Sequence, residues 1–200
     1  MIKNIIFDVG DVLLEYRWKN MLMDYGLSDE EAYKVGRMIF DDKLWNEMDL
    51  ADIKHGEELA VEYMKKYPEY GQVISWFLSH EEYMHVPRKD IWEKVHKLKE
   101  KGYKLYILSN YPESMFIKHT KDADFIKDMD GIVVSYQVHF MKPDHRIYRF
   151  LLDKYSLKPD ECLFFDDRAE NTKAASELGI HTKTVISKEF LAEELDKLLK

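Results

Sequence analysis

Apolar and polar positions alternate in two rhythms along the second half of the chain. Four short apolar runs predict strands: YKLYILS (103–109), GIVVSY (131–136), ECLFFD (161–166) and HTKTVI (181–186). Amphipathic stretches of helical period cover 90–102, 143–155 and 169–178, with Pro143 expected at the first helical position of the second. A further apolar run, Ile5 to Phe7, predicts a strand near the N-terminus. Strands that alternate with helices predict βαβ units around a parallel sheet, and therefore an α/β fold.

Residues 16–86 show helical periodicity without a convincing strand pattern. The helical stretches are DEEAYKVGRMIF (29–40), HGEELAVEYMKKY (55–67) and YGQVISWFLSHEEYM (70–84). Ser28 followed by Glu31 is typical of a capping box, and KKYPEYG (65–71) predicts a break between helices. We therefore expect an α/β core made of residues 1–15 and 87–200, with a helical subdomain inserted over 16–86.

Composition limits the classes of function. The chain has 200 residues, 46% hydrophobic and 34% charged, which fits one domain or a core with an insert. A net charge of −8 argues against broad binding of nucleic acid or acidic membranes. No segment reaches the roughly 20 apolar residues of a membrane span, and the N-terminal run, which contains Asp8, is too short for a signal peptide. The single cysteine, Cys162, is expected to be a buried thiol in a reducing compartment, so we expect a cytoplasmic protein. The oligomeric state stays open.

Polar residues follow the predicted strands where each strand ends. In open α/β sheets, ligands bind beyond the carboxyl ends of the strands, so these side chains are expected to meet at one edge. In chain order they are Asp8, Gly10 and Asp11, then Ser109 and Asn110, then Lys142, and last Asp166 and Asp167. Any one of them would suit an ordinary turn, but turns do not explain the set as a whole.

Phosphoryl transfer is the chemistry that this set of residues suggests. Carboxylates from different loops suit Mg²⁺, which prefers hard oxygen ligands. The metal charge would let an anionic phosphate approach an aspartate nucleophile. Lys142 would offset the phosphate charge close to a helix N-terminus, where anions bind favourably. Ser109 and Asn110 can donate hydrogen bonds to phosphate oxygens.

Four motifs in order make the chain resemble the haloacid dehalogenase superfamily along essentially its whole length. They are FDVGDVL, LSN, MKPDHRIY and FFDDRAEN. The resemblance implies a Rossmann-like core, and the helical insert matches the cap that the family carries after its first motif. It also implies a hydrolase, with small cytosolic phosphatases, including sugar-1-phosphate phosphatases, as the most similar members.

The resemblance assigns metal ligands and a nucleophile. Asp8 would be both the nucleophile and a Mg²⁺ ligand, and Gly10 would contribute its backbone carbonyl. Asp167 would ligate the metal directly, while Asp166 would ligate it or act through water. Asn171, four residues after Asp167, would orient the metal ligands.

The resemblance also assigns the groups that bind substrate. Ser109 and Asn110 would bind the phosphate, and Lys142 would bridge phosphate and Asp8. In the cap, Trp18, Trp45 and Met48 are candidate substrate contacts, and the alternative for each is packing inside the cap. His139, close to Lys142 in the chain, is the one histidine near the expected site.

Gly10 departs from the family pattern. Most phosphatases of the superfamily carry an aspartate there, which acts first as a general acid and then as a base. Asp11 lies one residue further along and is expected to point elsewhere. Without the carboxylate, we expect good leaving groups to be favoured, such as those of sugar 1-phosphates, aryl phosphates and acyl phosphates.

Three functions therefore remain after the sequence analysis. The first is a Mg²⁺-dependent phosphatase that acts on a small phosphorylated metabolite through an aspartyl-phosphate on Asp8. The second is a 2-haloacid dehalogenase, whose halide leaves without a proton and is therefore compatible with Gly10. The third is a non-enzymatic binding member of the superfamily. The adjacent Asp166 and Asp167 favour the metal-dependent phosphatase.

Overall fold

The computed structural model describes residues 1–51 and 56–200. The strands are β1 (Asn4–Phe7), β2 (Leu14–Tyr16), β3 (His85–Pro87), β4 (Lys104–Ser109), β5 (Gly131–Val134), β6 (Cys162–Asp166) and β7 (His181–Thr184). The helices before β4 are α1 (Trp18–Asp24), α2 (Asp29–Phe40), α3 (Lys43–Asp49), α4 (Gly56–Lys66), α5 (Gly71–Ser79) and α6 (Lys89–Glu100). Those after β4 are α7 (Glu113–Thr120), α8 (Ser135–Val138), α9 (His145–Tyr155), α10 (Ala169–Ser176) and α11 (Lys188–Leu199).

A parallel sheet of five strands in the order β5-β4-β1-β6-β7 forms the centre of the molecule. Successive residues of a strand point to opposite faces, so Ile5 and Phe7 pack in one apolar cluster while Ile6 packs in the other. Helices α6 and α11 cover the first face, and α9 and α10 cover the second. The predicted α/β fold is confirmed. Cys162 is a buried free thiol on β6, as expected.

Three predicted boundaries are wrong in detail, the first being the strand expected over 181–186, which ends at Thr184. The strand expected over 131–136 ends at Val134, and α8 begins at Ser135, whose hydroxyl donates to the Asp49 carbonyl at 2.7 Å. The helix expected from Pro143 begins at His145. Its N-cap is Asp144, whose carboxylate accepts from the Arg146 backbone N–H at 2.9 Å, so Pro143 lies before the helix and not at its first position.

The segment after β1 is mainly helical, as the periodicity predicts, with α1 to α5 in sequence. The capping box of Ser28 and Glu31 is present, and α4 and α5 are separated at the predicted break. The helical stretch predicted over 55–67 starts at His55, which lies outside the described residues. One feature is unforeseen: β2 and β3 pair antiparallel at the two ends of the segment. Strands of three residues are too short to show a period in the sequence. The division into core 1–15 and 87–200 and cap 16–86 stays a prediction.

Within residues 1–51 and 56–200, none of the helices has the length and apolar character needed to cross a membrane.

Candidate active site

The carboxyl ends of three adjacent strands bring the predicted polar residues together. Phe7 at the end of β1 is in register with Ile107 of β4 and Phe165 of β6, so the residues that follow lie at the same level. Asp8 follows Phe7 directly, and Asp166 follows Phe165. Ser109 lies two residues after Ile107. Lys142, which precedes α9, reaches the same point, and all four side chains are buried.

Lys142 is the centre of this cluster. Its ammonium group, 2% exposed as a residue, donates to the Leu108 carbonyl at 3.0 Å, to Asp166 Oδ2 at 2.6 Å and to Asp8 Oδ1 at 2.9 Å. Burial by itself would lower the pKa of Lys142, but the charges of Asp166 and Asp8 outweigh it and raise that pKa above its usual value. The lysine therefore remains a buried cation between two carboxylates.

Asp8 Oδ1 accepts every hydrogen bond that Asp8 receives from the described residues. The donors are the Val9 backbone N–H at 2.8 Å, the Ser109 hydroxyl at 2.5 Å and Lys142. The second oxygen, Oδ2, is left available for a metal ion or for a bond to phosphorus. The fixed first oxygen gives the carboxylate one orientation in the site.

Asp166 is completely buried, and its carboxylate contacts neighbouring groups of the protein. Oδ1 accepts from the Arg168 backbone N–H and from Asn171 Nδ2, each at 2.9 Å, while Oδ2 accepts from Lys142. Asn171 thus orients Asp166 directly. Both oxygens of Asp166 are engaged, so this carboxylate holds Lys142 and the turn after β6 in place.

Asn110 contacts the chain around Lys142 in both directions. Its amide N–H donates to the Lys142 carbonyl at 2.8 Å, and its carbonyl accepts from the Lys142 backbone N–H at 2.7 Å. Two such bonds fix the loop that carries the lysine to the end of β4. The role in phosphate binding stays a prediction for Asn110, as it does for Ser109.

The acidic residues suit a divalent cation. Asp8, Asp166 and Asp167 each present a carboxylate oxygen, and these atoms lie within 4.8 Å of one another. Burial first, and then the nearby carboxylates, raise the pKa of Asp8 to about 6 and that of Asp167 to about 7. Like charges held this close in a buried site disfavour ionisation, and a bound cation relieves the repulsion. Gly10 lines the same cavity, and ligation by its carbonyl stays a prediction.

Tyr16 explains why residue 10 has no side chain. A Cβ built on Gly10 would lie 2.4 Å from Tyr16 Cε2 and 2.8 Å from the Tyr16 hydroxyl oxygen, so the phenol ring fills the space. Asp11 is turned to the backbone, with its carboxylate accepting from the Tyr16 N–H at 2.9 Å. The sequence does not reveal the role of Tyr16, because its ring reaches Gly10 across a turn, from six positions further along the chain.

A cavity of about 340 Å³ separates the strand ends from helices α1, α2 and α3. Trp18 and Trp45 line it and also pack against the apolar core, with Phe40 between them at ring-centroid distances of 5.5 and 4.6 Å; contact with substrate stays a prediction for both. Met48 is 3% exposed and packs in the apolar core, so for this residue the alternative of packing is correct. His139 donates from Nδ1 to the Leu50 carbonyl at 2.7 Å and thereby fastens the end of α3.

Asp49, the last residue of α3, also lines the cavity and was not predicted. It is 4% exposed, and its Oδ1 is a buried atom without a hydrogen-bond partner in the part of the chain that the structure describes. Burial first, and then the charge of Asp8, raise the pKa of Asp49 to about 8, although Lys142 and Arg168 act in the opposite direction. These surroundings favour the protonated form of Asp49 at neutral pH.

The chain belongs to the haloacid dehalogenase-like hydrolases, whose family model matches residues 2–179. It is 26% identical over 202 residues to the D-ribitol-5-phosphate phosphatase of Bacteroides thetaiotaomicron, with 91% of each chain covered. It is 31% identical over 93 residues to the (S)-2-haloacid dehalogenase 4A of Burkholderia cepacia, covering 46% of this chain and 40% of the relative. The chain spans 19% or less of the length of three further curated relatives.

Solved structures agree on the fold. A haloacid dehalogenase family enzyme from Bacteroides thetaiotaomicron, crystallised with magnesium and inorganic phosphate, superposes with a TM-score of 0.71 at 23% identity. The alignment covers 92% of this chain and 94% of that enzyme. The predicted α/β, Rossmann-like fold is therefore confirmed, and the family model confirms the predicted membership of the superfamily.

Proposed function

We propose that this hydrolase is a Mg²⁺-dependent phosphatase that removes the phosphoryl group from a small phosphorylated metabolite. The observation that carries the proposal is the cluster of Asp8, Asp166 and Asp167, whose oxygens lie within 4.8 Å of one another beside a buried lysine. A substrate with a dianionic phosphate needs positive charge at the site, and a divalent cation with Lys142 provides it. The similarity to a D-ribitol-5-phosphate phosphatase over 91% of the chain supports the same class of reaction.

In this proposal Asp8 is the nucleophile. Its Oδ2 bonds to phosphorus as the ester P–O bond breaks, which gives an aspartyl-phosphate, and water then releases inorganic phosphate. Mg²⁺ would be held by Asp8, Asp167 and the Gly10 carbonyl, with Asp166 in contact directly or through water. When bound, it would supply positive charge that offsets the charge of the phosphate.

Ser109, Asn110 and Lys142 form the phosphate-binding side of the proposed site. The Ser109 hydroxyl and the Lys142 ammonium group both contact Asp8 Oδ1, so they lie beside the carboxylate whose other oxygen would receive the phosphoryl group. Preorganised donors at developing charge are worth a few kcal/mol each. Asn110 adds to this by fixing the loop of Lys142.

A 2-haloacid dehalogenase reaction is the second candidate, since a dehalogenase is among the relatives and Gly10 is compatible with a leaving group that needs no proton. Displacement of a halide by a carboxylate has no need of a cation. For that reaction the charge of Asp166 beside the nucleophile would only raise the pKa of Asp8. The acidic cluster therefore favours phosphate esters. A role without any catalysis does not agree with membership of a hydrolase family.

A screen with metal control tests the proposal. The protein is incubated with phosphorylated metabolites that include sugar 1-phosphates, pentitol and sugar 5- and 6-phosphates, aryl phosphates and acyl phosphates, in Mg²⁺ and in excess chelator. We expect phosphate release that requires Mg²⁺, and no halide release from 2-haloacids. Halide release that persists in chelator would support the dehalogenase instead. Equal phosphate release with and without chelator would contradict a metal-dependent reaction.

A further inference from the structure

Asp49 is placed unlike any other carboxylate around the cavity. The carboxylate of Asp8 accepts hydrogen bonds from core residues, and that of Asp11 accepts from a turn. Asp41 forms an exposed ion pair with Arg37, and Asp167 belongs to the acidic cluster. Asp49 belongs to a cap helix, lines the same cavity as Asp8 and Lys142, and has a buried oxygen with no partner among the described residues. A buried polar atom without a partner costs about 1 to 3 kcal/mol, so structure alone gives no reason for a carboxyl group here.

The end of α3 is held in position from the core. The Ser135 hydroxyl donates to the Asp49 carbonyl at 2.7 Å, and His139 donates to the adjacent Leu50 carbonyl at 2.7 Å. Ser135 also accepts from the Tyr111 backbone N–H at 3.0 Å, which ties this anchor to the loop after β4. Asp49 is therefore fixed relative to the strand ends, as a group that acts on a substrate has to be.

We propose that Asp49 is the general acid and base of this enzyme and takes over the task of the side chain that Gly10 lacks. The inference rests on the proposed phosphatase function. In the first step, Asp8 bonds to phosphorus, the ester P–O bond breaks, and the leaving oxygen takes the proton of Asp49. In the second step, a water oxygen bonds to phosphorus, Asp49 takes one of its protons, and the bond to Asp8 breaks. Inorganic phosphate leaves, and both carboxyl groups return to their starting states.

The charges around Asp49 suit both steps. Asp8 faces it with a negative charge that favours the protonated form, while Lys142 and Arg168 face it with positive charges that favour the ionised form. The negative end of the α3 dipole also disfavours a carboxylate at that position. With a pKa of about 8, the group carries a proton at neutral pH and can give it up and regain it, which is the condition for acid and base catalysis by one residue.

Other groups near Gly10 cannot do both tasks. Burial raises the pKa of Tyr16 well above its usual value, so its phenol is never a base at neutral pH. The Asp11 carboxylate accepts a hydrogen bond from the Tyr16 backbone N–H, and Asp167 belongs to the acidic cluster. Asp41 is exposed and forms an ion pair with Arg37. Among the described residues that line the cavity, Asp49 is thus the carboxyl best suited to proton transfer.

Asp49→Asn separates this role from the rest of the site when single-turnover rates are measured on two substrates. An alkyl phosphate has a poor leaving group and needs the proton, whereas p-nitrophenyl phosphate does not. We expect the alkyl rate to fall about 10²-fold or more and the aryl rate of the first step less than about fivefold. Phosphorylated protein should accumulate with the aryl substrate, since the base for its hydrolysis is missing. The preference for good leaving groups that Gly10 predicts would then belong to this variant more than to the wild type.

Asp42→Asn is the matched control, because Asp42 is the N-cap of the same helix and faces Lys66 and Tyr67 instead of the cavity. It should leave the ratio of alkyl to aryl rates unchanged. An equal loss on both substrates in Asp49→Asn, or no loss, overturns the acid and base role. If the wild type hydrolyses none of the phosphates in the metabolite screen with Mg²⁺, the proposed function fails and the role of Asp49 fails with it.

Carbon-13 NMR of the aspartate carboxyl groups gives a reading that does not depend on turnover. The resonance that disappears in Asp49→Asn is assigned to Asp49 and followed against pH with and without Mg²⁺. We expect the protonated form at pH 7. A carboxyl group that is ionised at pH 7 in both conditions overturns the inference, whatever the activity.

Discussion

The two walls of the cavity are built in opposite ways. On the core wall, Lys142 has three acceptors and Asp166 has donors on both oxygens, so the charges are fixed before any substrate arrives. The opposite wall, which includes helices α2 and α3, is called the cap wall. There, Asp49 has a buried oxygen without a donor among the described residues. Stabilising a charge and transferring a proton therefore require different surroundings. A charged group is stabilised when all of its hydrogen-bonding positions have partners. A carboxyl group that donates a proton stays neutral when such partners are absent.

The largest expected effect lies on the core wall, at the nucleophile. Asp8→Asn keeps the size and most hydrogen bonds of the side chain but removes the charge that attacks phosphorus. We expect turnover to fall by on the order of 10⁴-fold or more, with the fold retained. Phosphate release and circular dichroism measure the two parts.

Asp11→Asn is the control, since its side chain serves a turn and the variant can still accept the bond from Tyr16. It should retain activity within a few-fold of the wild type. Near wild-type activity in Asp8→Asn would remove Asp8 as nucleophile and with it the distinction between the walls.

Lys142→Ala comes next and tests whether the core wall depends on saturated charge. The variant leaves Asp8 and Asp166 close together without their shared cation. We expect a loss in kcat/KM on the order of 10²-fold and a drop in the free energy of unfolding of about 3 to 5 kcal/mol. Steady-state kinetics and urea unfolding measure these.

Lys127→Ala is the matched control, because Lys127 makes an exposed ion pair with Asp124 away from the cavity. Such pairs are worth about 0 to 1 kcal/mol. A loss in kcat/KM below tenfold for Lys142→Ala would place the lysine outside the catalytic site.

The same contrast explains what could be predicted from the sequence. Asp8, Ser109 and Asp166 were found because parallel strands deliver the residues that follow them to one edge, a rule that needs only strand positions. Asp49 reaches the cavity through the packing of α3 against the core, and its neighbours in the sequence suit any amphipathic helix. Tyr16 was missed for a similar reason, although a glycine in place of the family's aspartate signals that another side chain occupies the space.

The errors in the fold have equally local causes. Helix α9 begins at His145 and not at Pro143 as predicted, because the Asp144 side chain caps the helix. Both β2 and β3 are too short to carry a period, so only their pairing reveals them. Long periodic segments were predicted well, whereas features that depend on one side-chain contact were not.

The cap wall makes its own prediction for stability, smaller than the effects at the core wall. With a pKa of about 8 in the folded protein, Asp49 keeps a proton that the unfolded chain, with a pKa near 3.9, has already lost. Stability attributable to this group is therefore complete below about pH 4 and falls as the pH rises through 8.

Asp49→Asn removes that dependence, because an amide stays neutral throughout. We expect the variant to exceed the wild type by about 1 kcal/mol or more at pH 7, and the difference to shrink toward pH 4. Urea unfolding at a series of pH values measures it, with Asp42→Asn as a variant that should show no such gain. A constant difference across the pH range would mean that Asp49 is ionised in the folded protein.

The smallest expected effect concerns Tyr16, which stands between the two walls. Tyr16→Phe keeps the ring that fills the space above Gly10 and removes only the hydroxyl, whose pKa is raised well above its usual value by burial first and by Tyr111 beside it. A phenol that never ionises near neutral pH serves neither as base nor as an acid matched to the reaction, so we expect kcat/KM to change less than about threefold on alkyl and aryl phosphates alike.

Gly10→Ala, by contrast, forces the Tyr16 ring to move, and overpacking of this kind costs about 1 to 3 kcal/mol of stability. Kinetics on both substrates and thermal unfolding of the two variants separate filling of space from chemistry. A large loss on alkyl phosphates alone in Tyr16→Phe would move the proton donor from Asp49 to the phenol, and the cap wall would then lose its part in the reaction.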